Sequence, residues 1–228
     1  MAYVISPGPV PALPVDGTSD LFPVHRIFCV GRNYADHARQ MGGDPDREPP
    51  FFFMKRPSAL LVEGADFAYP SLSQDVHHEV ELVVAIGKGG ANIRVEDALD
   101  HVYGYAVGFD MTQRDLQTEA KRMARPWEAS KGFDYSAPCS RIAPASRIGH
   151  PAKGSIWLDV NGKRVQDSDI SAMIWSVSEV VATLSRLFTL EPGDLVFTGT
   201  PGGQGSVHRG DVLHGGIDKV GELTIRVV

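Results

Sequence analysis

Two cysteines, Cys29 and Cys139, are all the thiol that this 228-residue chain carries. They form no C-x-x-C pair and no disulfide framework. That excludes a small disulfide-stapled fold, points to a reducing compartment, and makes both thiols expected core residues rather than nucleophiles. A basic excess is missing too: 22 Lys and Arg stand against 28 Asp and Glu, a formal net charge of −6. Nucleic acid and anionic membrane both demand clustered cations, so neither is an expected partner. No apolar run approaches the ~20 residues of a spanning helix, and no basic segment followed by an apolar stretch opens the chain. The expectation is a soluble, cytoplasmic protein. Internal repeats and low-complexity tracts are also absent. What is present, 43% hydrophobic and 22% charged residues, suffices for one sizeable core.

The Pro- and Gly-rich stretch "ISPGPVPALPVDG" (5–17) reads as an irregular or extended arm. The expected organisation is an irregular arm over 1–24 and a single domain over 25–228. "HRIFCVG" (25–31) is a short β-type run, "NYADHARQMG" (33–42) a short helix, and "GDPDREPP" (43–50) a polar, Pro-bounded loop able to move. Strand signals follow in "FFFM", "EVELVVAIG" and "YGYAVGF", with short helices at "RVEDALDHV" and 112–124, the latter stopped by Pro126. "SIWLDVNGKRVQD" is a hairpin around Asn161-Gly162, and 176–190 has helical spacing. Many short strands with few helices predict an α+β fold, a β-rich mixed sheet that is rolled or sandwiched.

Glu79 and Glu81 stand two apart, ahead of the apolar run Leu82–Ile86. On a strand, residues i and i+2 face one side, so the two acids point together. A solvated acidic face would account for them. Yet the run after Glu81 loses its alternation, as buried strands do, and two buried like charges repel. A divalent metal resolves the conflict: Mg²⁺ takes hard oxygen ligands and keeps positions for water or substrate. Asp110, where a strand gives way to a helix, is the candidate third ligand, with a helix-capping role as the alternative. Alternation places His77 on the glutamates' face as a weaker ligand candidate, which would favour Zn, Fe or Mn, and turns His78 away.

Six stretches in order, "VGRNYADHARQMG", "HHEVELVVAIG", "GFDMTQRDLQ", "PWEASKGFD", "LEPGDLVFTGTPGGQG" and the closing "GDVL…GELTIRVV", resemble the fumarylacetoacetate hydrolase family from about residue 25 to the end. Within it, "DPDREPPFFFMK" is most similar to fumarylpyruvate hydrolases of gentisate-type aromatic degradation. The resemblance implies a mixed β-roll of the family's C-terminal-domain type, a mobile lid over 33–50 and a homodimer. It also implies one Mg²⁺ or Mn²⁺ per chain held by Glu79, Glu81 and Asp110, with a small 2-oxo acid as substrate. Catalytic roles fall on His37, Gln40 and Lys131. Substrate contacts fall on Arg32, Tyr34, Arg114, Gln117, Thr198, Gly199 and Thr200, with Arg32, Arg39 and Arg122 as candidates for a distal carboxylate. Lys131, beside a metal, is expected to have a depressed pKa.

Two departures from the family pattern stand out. Gln40 occupies a position where similar hydrolases carry Glu, and an amide has no charge to stabilise the imidazolium formed when His37 takes a proton. Arg56 intervenes between Lys55 and Pro57, where relatives tend to have Lys-Pro. The expected activity is metal-dependent cleavage of an acylpyruvate, fumarylpyruvate to fumarate and pyruvate. Gln40 keeps open oxaloacetate decarboxylation or 2-hydroxyhepta-2,4-diene-1,7-dioate isomerisation, which need an enolate but no attacking water. A non-catalytic metal and oxo-acid binding protein is the alternative of another class.

Overall fold

The computed structural model describes residues 3–34 and 48–228. Most of the expected helix over 33–42 and of the lid, with His37, Arg39 and Gln40, lies outside the described residues; at its described start Tyr34 is not helical but bridges Met173. The centre is an eight-stranded mixed sheet. Across it run Phe52–Lys55, Arg26–Val30, Asp194–Phe197, Val80–Ile86, Val102–Phe109, Ala137–Cys139 and Leu60–Val62, with Ala143–Pro144 also paired to Val102–Phe109. Asp194–Phe197 runs parallel to Arg26–Val30, and Val80–Ile86 antiparallel to both of its neighbours. A four-stranded antiparallel sheet, a three-stranded sheet and a two-stranded pair complete the strands among the described residues, so the β-rich α+β expectation holds.

The lost alternation after Glu81 has its cause in this layering. Leu82, Val84 and Ile86 pack with Ile156, Leu158, Leu213 and Leu223 of the four-stranded sheet. Val83 and Ala85 pack on the other face with Leu13, Ile27, Cys29, Leu195 and Phe197. A strand covered on both sides reads as a continuous apolar run.

Local chemistry sets several elements. Asn161 and Gly162 both have positive φ (53° and 77°), as a two-residue type I′ hairpin requires, and join Ser155–Val160 to Lys163–Asp169. Ser176 and Glu179 form a reciprocal capping box that starts the helix Val177–Leu187. The helix Arg114–Arg122 begins after a two-residue strand, Thr112–Gln113.

The short helix expected at "RVEDALDHV" is a 3₁₀ helix over Val95–His101. One expectation changes. Part of the N-terminal stretch is regular: Ala12–Pro14 pairs with Leu21–Pro23, because buried Leu13, Val15 and Phe22 close one face of the core, while residues 3–10 are exposed. Cys29 and Cys139 are fully buried and burial raises both thiol pKa values, which keeps them protonated core groups. No helix among the described residues is long and apolar enough to cross a membrane.

Candidate active site

Antiparallel pairing assembles three carboxylates. Glu81 lies on Val80–Ile86, Glu79 just before it, and Asp110 just after Val102–Phe109. Val80 stands opposite Phe109, and the Asp110 N–H donates to the Glu79 carbonyl at 2.8 Å. One oxygen from each acid lies within 4.8 Å of the others, and all three residues are buried. No histidine joins this set among the described residues. His77 instead faces Asp75 and Ser206, and His78 is buried against Gln166.

Cations surround the acids. Lys131 Nζ donates to Glu79 Oε2 at 2.7 Å and to Asp110 Oδ2 at 2.6 Å. Arg114 donates to Glu79 Oε1 and to Gln117 Oε1, each at 2.5 Å, and buried Gln117 shares its helix face as the i, i+3 spacing predicts. Gly199 N–H donates to Glu81 Oε2 at 2.7 Å.

The protein groups alone raise the Lys131 pKa, whereas the depression was expected beside a bound metal. Burial alone would lower it, but the carboxylates of Asp110 and Glu79 outweigh burial and hold the ammonium charged. Glu81 moves the other way: burial, then repulsion by Asp110 and Glu79, push its pKa well up against Lys131 and the Gly199 N–H. A buried all-carboxylate oxygen set that repels itself in this manner fits a hard divalent cation such as Mg²⁺ or Mn²⁺.

The remaining expected contacts divide. Thr200 is buried and its hydroxyl accepts from Gln166 at 2.9 Å. The Thr198 hydroxyl donates to the Leu82 carbonyl at 2.8 Å, so its proton serves the fold rather than a ligand. Gly199 likewise gives its N–H to Glu81. Tyr34 is buried with a hydroxyl that has no partner among the described residues, and burial followed by the Glu81 charge raises its pKa. Arg32 is half-buried near Lys121, whose pKa is pushed down to about 8 by burial and by the Arg114 and Arg32 charges. Arg122 is exposed.

Sequence reading missed four residues here. Lys55 Nζ lies 2.8 Å from Asp110 Oδ1 and donates to Ser136 Oγ and to the Met111 and Lys131 carbonyls. Asn33 binds the Thr198 and Trp175 carbonyls and receives the Trp175 N–H, clamping the loop that carries Gly199. Lys121 and Gln166 are the others. Only Lys55 gave a signal: alternation in "FFMK" sets it with Phe53 and opposite the exposed Met54.

The fumarylacetoacetate (FAA) hydrolase C-terminal family matches residues 26–228. The chain belongs to the fumarylacetoacetate hydrolase family. Fumarylpyruvate hydrolase from Pseudomonas aeruginosa, solved in complex with Mn²⁺ and pyruvate, superposes with a TM-score of 0.97 at 53% identity, covering 100% of this chain and 99% of that one. Fumarylpyruvate hydrolase of a Ralstonia species is 41% identical over 81% of this chain and 95% of its own length. The mouse (Mus musculus) mitochondrial oxaloacetate tautomerase FAHD1 is 41% identical over 88% of this chain and 90% of its own. Relatives named as hydrolases, at 41% and 53% identity, and as a tautomerase, at 41%, thus match the same chain.

Proposed function

We propose that this chain is a divalent-metal-dependent hydrolase that cleaves the carbon–carbon bond of an acylpyruvate, converting fumarylpyruvate to fumarate and pyruvate. The observation that carries this reading is the buried Glu79–Glu81–Asp110 set with Lys131 Nζ seated against two of its members. The relatives named fumarylpyruvate hydrolase support the choice of substrate.

Held by the three carboxylates, Mg²⁺ or Mn²⁺ would supply Lewis-acid polarisation of the 2-oxo acid end. The chain's own residues do the rest. Water adds to the carbonyl carbon of the acyl group, and the bond from that carbon to the pyruvate methylene breaks. The electron pair passes to the pyruvate part as an enolate, which then takes up a proton. Lys131, whose Nζ lies against Glu79 and Asp110, stabilises the enolate oxygen; one such donor is often worth ~3 kcal/mol. Arg114, Gln117 and Thr200 bind the pyruvoyl end, and Arg32 with Lys121 attracts the distal carboxylate. The resemblance assigns water activation to His37 with Gln40, a contribution typically ~10²–10⁴-fold. The reading includes a cytoplasmic homodimer, to be tested by sedimentation.

Gln40 favours a second reading, tautomerisation or decarboxylation of oxaloacetate, in line with the name of the mouse relative. Purified protein, chelated and then reloaded with Mg²⁺ or Mn²⁺, should be assayed on fumarylpyruvate, acetylpyruvate and oxaloacetate. Metal-dependent loss of the acylpyruvate chromophore supports hydrolysis. Turnover of oxaloacetate without acylpyruvate cleavage discards it.

A further inference from the structure

Gln166 lies on the strand Lys163–Asp169, and its buried amide is hydrogen-bonded at every position. Its Oε1 accepts from the Val80 N–H at 3.1 Å and meets His78 Nδ1 at 3.0 Å. Its Nε2 donates to the Pro201 carbonyl at 3.0 Å and to Thr200 Oγ1 at 2.9 Å. Two of these partners have no choice of role, since a backbone N–H only donates and a carbonyl only accepts. Turned over, the amide would set its NH₂ against the Val80 N–H and its oxygen against the Pro201 carbonyl.

That fixed orientation propagates outward. His78 must carry its proton on Nδ1. Thr200 Oγ1 must accept from Gln166, so the hydroxyl proton points elsewhere, and no acceptor meets it among the described residues. Thr200 follows Gly199, whose N–H holds the metal-ligand candidate Glu81.

We propose that Gln166 is a positioning residue that makes Thr200 an obligate hydrogen-bond donor to a carboxylate oxygen of the 2-oxo acid. The inference rests on the functional reading above and adds the polarity of one contact. The site thereby selects an acceptor oxygen over a donor such as the NH₂ of an amide.

The test uses Mn²⁺-loaded protein with pyruvate and pyruvamide as probes, by calorimetry. Wild type should bind pyruvate at least tenfold more tightly than pyruvamide. Thr200→Val should weaken pyruvate about tenfold with Mn²⁺ affinity unchanged. In Gln166→Glu the new carboxylate draws the Thr200 proton to itself, so pyruvate weakens at least as much, and adding Thr200→Val costs nothing further. Pyruvate affinity within twofold of wild type in Gln166→Glu, or full additivity of the two losses, would overturn the inference.

A measurement free of folding defects is the ¹⁵N resonance pair of the His78 ring in metal-free wild type, expected to show a protonated Nδ1. A bare Nδ1 would sink the network's polarity. Failure of Mn²⁺-loaded wild type to bind pyruvate at all would overturn the functional reading and the Thr200 role with it, while the His78 result would still report on Gln166.

Discussion

Lys55 and Arg56 are adjacent cations in opposite surroundings, and replacing each by methionine separates a buried charge from an exposed one. The Lys55 side chain is 0% exposed, its Nζ 2.8 Å from Asp110 Oδ1 and hydrogen-bonded to Ser136 and two carbonyls. Methionine fills the same volume with no donor. Among the described residues, the Asp110 carboxylate then keeps only Lys131 as a cationic partner. Removing one member of a buried pair costs about 3–5 kcal/mol, because the other charge stays out of water. An unfolding entropy of about 2.1 cal/mol/K per residue over 228 residues is about 0.5 kcal/mol per degree, so Lys55→Met should lower Tm by about 6–10 °C. Arg56 pairs with Asp134 at 3.0 Å, with both side chains about two-thirds exposed. Solvent screens that pair, and Arg56→Met should shift Tm by no more than about 2 °C. The assay is thermal unfolding of chelated protein at neutral pH, followed by circular dichroism. A loss below about 2 °C for Lys55→Met, or equal losses for the two variants, would refute the reasoning.

Glu81→Gln keeps the Gly199 contact but removes one anionic ligand, so Mn²⁺ affinity should fall at least tenfold by calorimetry; unchanged affinity would remove Glu81 from the metal set. Gly199→Ala should lower both Tm and Mn²⁺ affinity, because φ is +97° and an added Cβ would meet Asn33 Cβ at 2.8 Å, shifting the N–H that holds Glu81. Lys121, with its pKa lowered to about 8, loses its charge as pH rises through that value, so KM for an anionic substrate should climb above pH 8 in wild type and stay flat in Lys121→Gln. For stability the sign is opposite: between about 8 and the ordinary 10.5 the unfolded chain holds more of this proton, so the Lys121 contribution makes the fold more stable as pH rises across that window, measurable as a smaller rise in the variant.

What was readable in advance divides by the range of the interaction. The hairpin turn, the helical spacing over 176–190 and the shared face of Arg114 and Gln117 depend on neighbours within a few residues, and the structure has all three. Glu79 and Glu81 were legible for the same reason, as an i, i+2 pair before a run too apolar for a surface strand. Asp110 could be nominated only from its place at a strand end. Lys131 was located through resemblance, and its ionisation could not be read from the sequence, because the sign depends on which charges stand nearest. Gln166 gave nothing: a glutamine in a strand rich in charged residues reads as surface until the Thr198–Pro201 loop and the His78 segment close over it.

The amino-acid order alone pointed to a β-rich chain with no disulfide framework and no apolar run long enough for a spanning helix, its hairpin turn, and two acids aimed the same way. Tertiary structure alone set the register of Val80 against Phe109, which brings Asp110 to Glu79 and lets Lys55 and Lys131 converge from other segments. Local propensities act over one turn or one strand pair. Whether a buried charge is tolerable is decided by groups distant in sequence, since in a low-dielectric interior only the assembled partners supply what water has given up.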